Sequence, residues 1–268
     1  LCTTEEWREH LLWTTAIDLG YRVGARRAWG LDIHTRCATT VAALKLARAL
    51  MADDPDVNTI LIGGGYAISH FIDLSDVNTS FLFNIGAGAG AMIVRRDWPE
   101  NRVLGNHLIA DGMMSRHVIV PCSGTVGHPT DQAVDGGDFK FRLVEPEAMK
   151  TRLGEVSMDN WLKCVDTALE KSGPKLDGSP YTRDDVDFLN MSLVKPSAYQ
   201  EMLGHFGLTT DQGAYISDIG HIGEQDTIIN IERGIEEGKL KPGDTMAIIA
   251  AGIGYVWAGA VVQWGAPK

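Results

Sequence analysis

Two segments of this chain are nearly continuous in apolar residues, and they limit what it can fold into. Asp56 to Gly65 reads Asp-Val-Asn-Thr-Ile-Leu-Ile-Gly-Gly-Gly, and Thr245 to Ala251 reads Thr-Met-Ala-Ile-Ile-Ala-Ala. A strand with one wet face alternates polar and apolar positions. These do not, so each needs cover on both faces, which helices on either side of a sheet supply. The remaining pattern agrees. Residues 5–20, with Trp7, Leu11, Leu12, Ile17 and Leu19, suggest a helix closing at Gly20. Thr79 to Val94 reads as two apolar strands joined through alternating Gly and Ala, where another backbone could approach closely. Leu104 to Val120 gives strand-like pieces around Asp111-Gly112, and Gly124 to Asp138 is a loop rich in Gly, Pro and Asp. From Val144 a helix carries Met158, Trp161, Leu162, Val165 and Leu169 on one face. Strands at Val186 to Leu193 and Tyr215 to Ile219, helices at Ser197 to Phe206 and Asp226 to Glu237, and a last strand at Trp257 to Gln263 complete the expectation. The alternation predicts an α/β fold with a largely parallel sheet. A weak echo between Asp56 to Gly65 and Lys241 to Gly254 suggests two related halves.

The most chemically informative stretch is Ala28 to Leu50, whose first half reads as a short buried strand and whose Ala- and Leu-rich second half reads as a helix, with Cys37 at the turn between them. Unsatisfied N–H groups and the positive end of the macrodipole at a helix start favour a thiolate, hence a nucleophile. The alternative is a small buried apolar residue.

Net charge narrows the partners. At −11 over 268 residues the chain is a poor match for nucleic acid or anionic lipid, and neither is expected as a partner. The four cysteines, at 2, 37, 122 and 164, show no CxxC pair and no metal-ligand spacing, so no metal site is expected and a reducing cytoplasmic setting fits. No run is long and apolar enough for a membrane span. The opening Leu-Cys-Thr-Thr reads as the end of a strand, so an N-terminal portion is expected to be missing.

Three stretches together resemble the beta-ketoacyl-acyl-carrier-protein synthase III branch of the thiolase superfamily: Leu31-Asp-Ile-His-Thr-Arg-Cys37-Ala with its helix, Phe83-Asn-Ile-Gly86-Ala-Gly88-Ala, and Gly238 to Asp244 continuing through Ala251-Gly-Ile-Gly-Tyr-Val-Trp257-Ala-Gly. The resemblance implies a thiolase-like five-layer fold of two related halves. The first, 1–138, carries Cys37; the second, 139–268, carries His221, Asp226 and the glycine bend. It implies a homodimer with no permanently bound cofactor, using acyl-CoA or acyl carrier protein as substrate. Cys37 would take the acyl group and pass it to a second substrate. By the same resemblance the oxyanion donors are the backbone N–H groups of Cys37 and Ile253, the latter at a position where relatives usually carry glycine.

Two positions depart from the condensing pattern of a histidine and an asparagine. Aligning Val186 to Leu208 puts Ser192 where the histidine belongs, and the segment around residue 220 puts His221 where the asparagine belongs. A serine cannot replace an imidazole as a neutral-pH base. Relatives in natural-product pathways that transfer acyl groups to oxygen, nitrogen or sulfur, or condense unusual partners, resemble the chain better, through a Gly-His-x-Gly-x-x-Asp stretch and a histidine beyond the Asp-Gly turn; condensation and simple acyl transfer both stay open at this point. Here these are Gly220-His221-Ile-Gly223-Glu-Gln-Asp226 and His117. Cys37, His117 or His221, and Asp226 would then be nucleophile, base and orienting carboxylate. The structural alternatives are that His221 and Asp226 serve only the start of a helix and that His117 sits on a strand surface. At the level of the whole chain, the alternative is a non-catalytic partner subunit with the same fold.

Overall fold

The computed structural model describes residues 1–4, 8–10 and 12–266. Of the helix expected over 5–20, Trp7 and Leu11 lie outside the described residues. The observed helix α1 is shorter and later, Thr15–Arg22. Its start is set from a distance, because the Asp32 carboxylate accepts from the N–H groups of Thr15 and Ala16 at 3.0 and 2.8 Å. It runs past Gly20 without a break.

The elements that follow are α2 (Thr39–Asp53), β1 (Thr59–Tyr66), β2 (Gly88–Arg95), β3 (Arg102–Ala110), β4 (Val118–Ile119), the short α3 (Asp131–Asp135), β5 (Arg142–Leu143), α4 (Pro146–Glu170), β6 (Phe188–Met191), α5 (Pro196–His205), α6 (Asp226–Glu236), β7 (Thr245–Gly252) and β8 (Val256–Gln263). Strands β1 and β2 pair antiparallel, β4 and β5 form a small ribbon, and the main sheet has the order β3-β8-β7-β6.

The main sheet is covered on both faces, as its composition requires. Side chains of β7 alternate across it. Met246, Ile248 and Ala250 pack with Val41, Leu44 and Ala47 of α2, while Ala247 and Ile249 pack with Val165 and Leu169 of α4 and Met202 and Leu203 of α5. Ile248 and Ile249 are each almost fully buried, contributing about 1.5–3 kcal/mol apiece in transfer free energy. Helix α2 also packs on Ile60 and Ile62 of β1, so it lies between the two sheets. The layers therefore run sheet, helix, sheet, helix. The side of β2 turned away from α2 is exposed, Ile93 at 67%, while Met92 and Val94 face inward.

Four expectations need correction. The main sheet is mixed: only β6 and β7 are parallel, and β7, β8 and β3 run antiparallel. Only Ile253, Gly254 and Tyr255 separate β7 from β8, and so short a connection forces an antiparallel pair. Within 79–94 there is one strand rather than two. Val77–Leu82 is a 3₁₀ turn, because the Asp76 carboxylate accepts from Asn78 N–H at 3.1 Å and the Asp76 carbonyl accepts from the Thr79 hydroxyl at 2.9 Å. The segment 215–219 is irregular and joins no ladder. Finally, the run expected as a short buried strand before Cys37 makes one isolated bridge, Asp32 with Cys2, among the described residues, and Trp29 and Leu31 are exposed, because the Asp32 carboxylate is engaged at the start of α1. Strand β3 pairs with β8.

Candidate active site

Cys37 sits on a 3₁₀ turn, Arg36–Ala38, that runs directly into α2. The preceding Arg36 has φ +54°, a left-handed conformation that costs a non-glycine residue of order 1–3 kcal/mol and persists only where surrounding contacts enforce it. Here Thr39 supplies contacts on both sides: its hydroxyl accepts from Thr35 N–H at 2.9 Å and donates to the Arg36 carbonyl at 2.5 Å. The end of β7 presses on the same turn. A Cβ at Gly252 would stand 2.8 Å from Arg36 Cβ and 3.2 Å from Cys37 N, and would overlap the Thr35 carbonyl oxygen. Only a glycine lets the strand end this close to the cysteine backbone. Cys37 is 6% exposed.

The second part of the site comes from Gly220 to Asp226. Both Gly220 (φ +81°) and Gly223 (φ +63°) are left-handed, which glycine adopts without penalty, and between them the chain turns sharply enough to bring His221 back toward Asp226. His221 N–H donates to the Asn84 carbonyl at 2.8 Å, and its carbonyl accepts from Gly86 N–H at 2.9 Å. Gly86 fits there because a side chain would overlap the Ile219 carbonyl. The hydroxyl of Thr40 donates to the Glu224 carbonyl at 2.7 Å, joining the start of α2 to this turn.

These two pieces meet at the sulfur. His221 Nε2 lies 3.1 Å from Cys37 Sγ, and His221 Nδ1 lies 2.6 Å from Asp226 Oδ2. The Asp226 carboxylate is fully buried at the first residue of α6 and accepts two further bonds, from Leu193 N–H at 2.7 Å and Ile222 N–H at 2.8 Å. Three donors converge on this acceptor, which sets a proton on Nδ1 and leaves Nε2 as the nitrogen facing the sulfur. Burial opposes charge on this imidazole, but the sulfur of Cys37 and the carboxylate of Asp226 outweigh it and hold the His221 pKa well above the ordinary histidine value. A protonated imidazole at 3.1 Å in turn favours the thiolate.

His117, singled out with His221 in the sequence, makes different contacts. Its Nε2 is 3.9 Å from Glu145 Oε2, and its buried Nδ1 has no hydrogen-bond partner among the described residues. No hydrogen bond joins it to Cys37 or His221 among the described residues. Ile253 directly follows Gly252 and packs with Tyr255 and Trp257, which puts the β7–β8 turn beside the Cys37 backbone. Tyr255 registers that proximity: burial raises its pKa, and the charge on Cys37 raises it further. Cys164, by contrast, is wholly buried, and burial pushes its thiol up to about 12.

Ser192 follows β6 and is 4% exposed, its N–H donating to the Ile249 carbonyl at 2.9 Å. The Leu193 and Ile222 amides that hold Asp226 escaped the sequence reading, since backbone donors carry no residue-type signal. No group of three or more metal-ligating side chains occurs among the described residues, and no helix there is long and apolar enough to cross a membrane.

The sequence models of 3-oxoacyl-[acyl-carrier-protein] synthase III match residues 31–112 and, for the C-terminal region, 176–264. The chain belongs to this family. The 3-oxoacyl-ACP synthase III family is one of acyltransferases, and relatives agree along nearly the whole chain. A beta-ketoacyl-[acyl-carrier-protein] synthase III of Syntrophomonas wolfei is 25% identical over 260 residues, covering 94% of this chain and 72% of the relative. The one from Chlorobium luteolum is 28% identical over 252 residues, covering 90% and 70%. Among solved structures, the 3-oxoacyl-(acyl carrier protein) synthase III of Pseudomonas aeruginosa superposes with TM-score 0.75 at 18% identity, over 100% of this chain and 76% of that one. The fold is accordingly that of the thiolase superfamily, as the sequence resemblance implies.

Proposed function

We propose that the protein loads an acyl group from acyl-CoA or acyl carrier protein onto Cys37 and transfers it to an oxygen, nitrogen or sulfur acceptor, with His221 as the base and Asp226 as its orienting carboxylate. The observation that carries this reading is the continuous chain Sγ, Nε2, Nδ1, Oδ2, with separations of 3.1 and 2.6 Å at its two hydrogen-bonded contacts. An asparagine at position 221 could donate to a thioester carbonyl but could not take a proton. Histidine can, and a carboxylate behind it stabilises the imidazolium that results.

In the first half-reaction the Cys37 thiolate attacks the thioester carbonyl, and His221 gives its Nε2 proton to the departing thiol. The acyl-enzyme then faces a neutral imidazole, which accepts the proton of the incoming nucleophile. The oxyanion of each intermediate would rest on the N–H groups of Cys37 and Ile253. His117 has no hydrogen bond to these three residues among the described residues and takes no proton-transfer step. Following the resemblance, the protein is a cytoplasmic homodimer with no resident cofactor.

Incubation with acetyl-CoA and octanoyl-CoA, followed by mass analysis of tryptic peptides, tests the reading. The expected result is an acyl adduct on the Cys37 peptide that is absent in Cys37→Ala, and no carbon dioxide release from malonyl-CoA. Absence of the adduct overturns the proposal. If Cys37→Ala left the activity of a complex containing this chain unchanged, the chain would be a non-catalytic partner subunit.

A further inference from the structure

A cavity of about 50 Å³ lies against His221, bounded by Ser192, Val194, Trp161 and the Ile249 to Ala251 segment of β7. The side chains that line it are apolar apart from the imidazole, one hydroxyl and the indole N–H. Trp161 Nε1 is already committed, donating to the Ala250 carbonyl at 3.3 Å. Ser192 Oγ is not: it is buried and has no hydrogen-bond partner among the described residues. Leaving a buried hydroxyl unpaired is costly, so such a group in a lined cavity beside a base calls for a ligand that pairs with it. The space exceeds that of a single water and excludes a bulky group. Ser192 is also tied to the site through the chain, since the next residue, Leu193, holds the Asp226 carboxylate.

We propose that Ser192 is a positioning residue for the acyl acceptor, its hydroxyl hydrogen-bonding the attacking heteroatom of an unhindered primary alcohol or amine and holding it beside His221. This rests on the acyl-transfer reading above. In the transfer step the acceptor oxygen or nitrogen forms a bond to the acyl carbon and its proton passes to His221 Nε2. The carbon–sulfur bond breaks with its electron pair on Cys37, which is left as a thiolate beside the imidazolium, with an ester or amide as product.

The test uses the whole chain, loaded on Cys37 from acetyl-CoA and followed by intact mass as 1-propanol, propylamine or 2-methyl-2-propanol is added. The wild type is expected to transfer to the two primary acceptors and not to the tertiary alcohol. In Ser192→Ala the ratio of transfer rate to loading rate falls about tenfold with a raised acceptor KM, the loss of one hydrogen bond, and Ser192→Thr recovers most of it. A damaged fold would lower loading and transfer together and would not be rescued by threonine, which overturns the assignment. So does an unchanged transfer-to-loading ratio in Ser192→Ala. A wild-type enzyme that loads but transfers to neither primary acceptor overturns the subsite while the acyl-enzyme reading stands, whereas a wild type that never loads removes both.

Discussion

Replacing Asp226 by asparagine tests the site without changing its size. Three donors converge on this carboxylate: Leu193 N–H, Ile222 N–H and His221 Nδ1–H. Asparagine offers one carbonyl oxygen and an NH₂ that can only donate. If the oxygen keeps Leu193 and His221, the NH₂ opposes Ile222 N–H, leaving a buried donor unpaired at a cost of about 1–3 kcal/mol. If the amide turns over, the NH₂ donates to His221 Nδ1. The ring proton is then fixed on Nε2, and the nitrogen facing Cys37 can no longer accept one. Either way the negative charge that favours the imidazolium is gone. Base catalysis is worth about 10²–10⁴ in rate, so cysteine loading and transfer should fall by that factor, about 3–5 kcal/mol of barrier. Two assays read this: acyl-adduct formation by intact mass, and the rate of Cys37 alkylation by iodoacetamide as a function of pH. The His221 pKa is held well above its usual value in the wild type, so removing the carboxylate moves loss of that proton to lower pH. An Asp226→Asn variant that loads at the wild-type rate, with an unmoved alkylation profile, would refute the reasoning.

Two further outcomes follow from the same geometry. Gly252→Ala puts a methyl group against Arg36 Cβ and the Thr35 carbonyl; it should cost about 1–3 kcal/mol, seen as a lower urea midpoint, and slow Cys37 alkylation. His221 has a raised folded pKa, so its contribution to stability is complete below the unfolded value of about 6.5 and is lost as pH rises through the folded one. The gap in unfolding free energy between wild type and His221→Gln, measured in urea, should therefore shrink as pH rises. A gap that widens contradicts the sign.

Short motifs were the legible part of this sequence. A cysteine before an Ala-rich run, and glycines three apart around His221, fix local backbone, and local backbone is what residue type reports. The family resemblance then named the fold. Failures came where a distant partner decides. Helix α1 begins at Thr15 because Asp32, seventeen residues on, supplies the acceptor for Thr15 N–H. Segment 77–82, apolar in its second half, winds into a 3₁₀ turn because Asp76 captures an amide at its start. The strand β3 joins β8, far along the chain, and nothing local marks that. In the candidate site, the Gly-His stretch carried more signal than the histidine beyond the Asp-Gly turn, and it is His221 that stands 3.1 Å from the sulfur.

The sulfur and the imidazole that faces it stand 184 positions apart in the chain. During synthesis the cysteine therefore leaves the ribosome long before its partner has been made, and until then it has only the modest reactivity of an ordinary thiol, with a pKa of about 8.5. Whatever chemistry the pair performs is closed to a nascent chain until the segment 220–226 has been made and has folded against the cysteine turn.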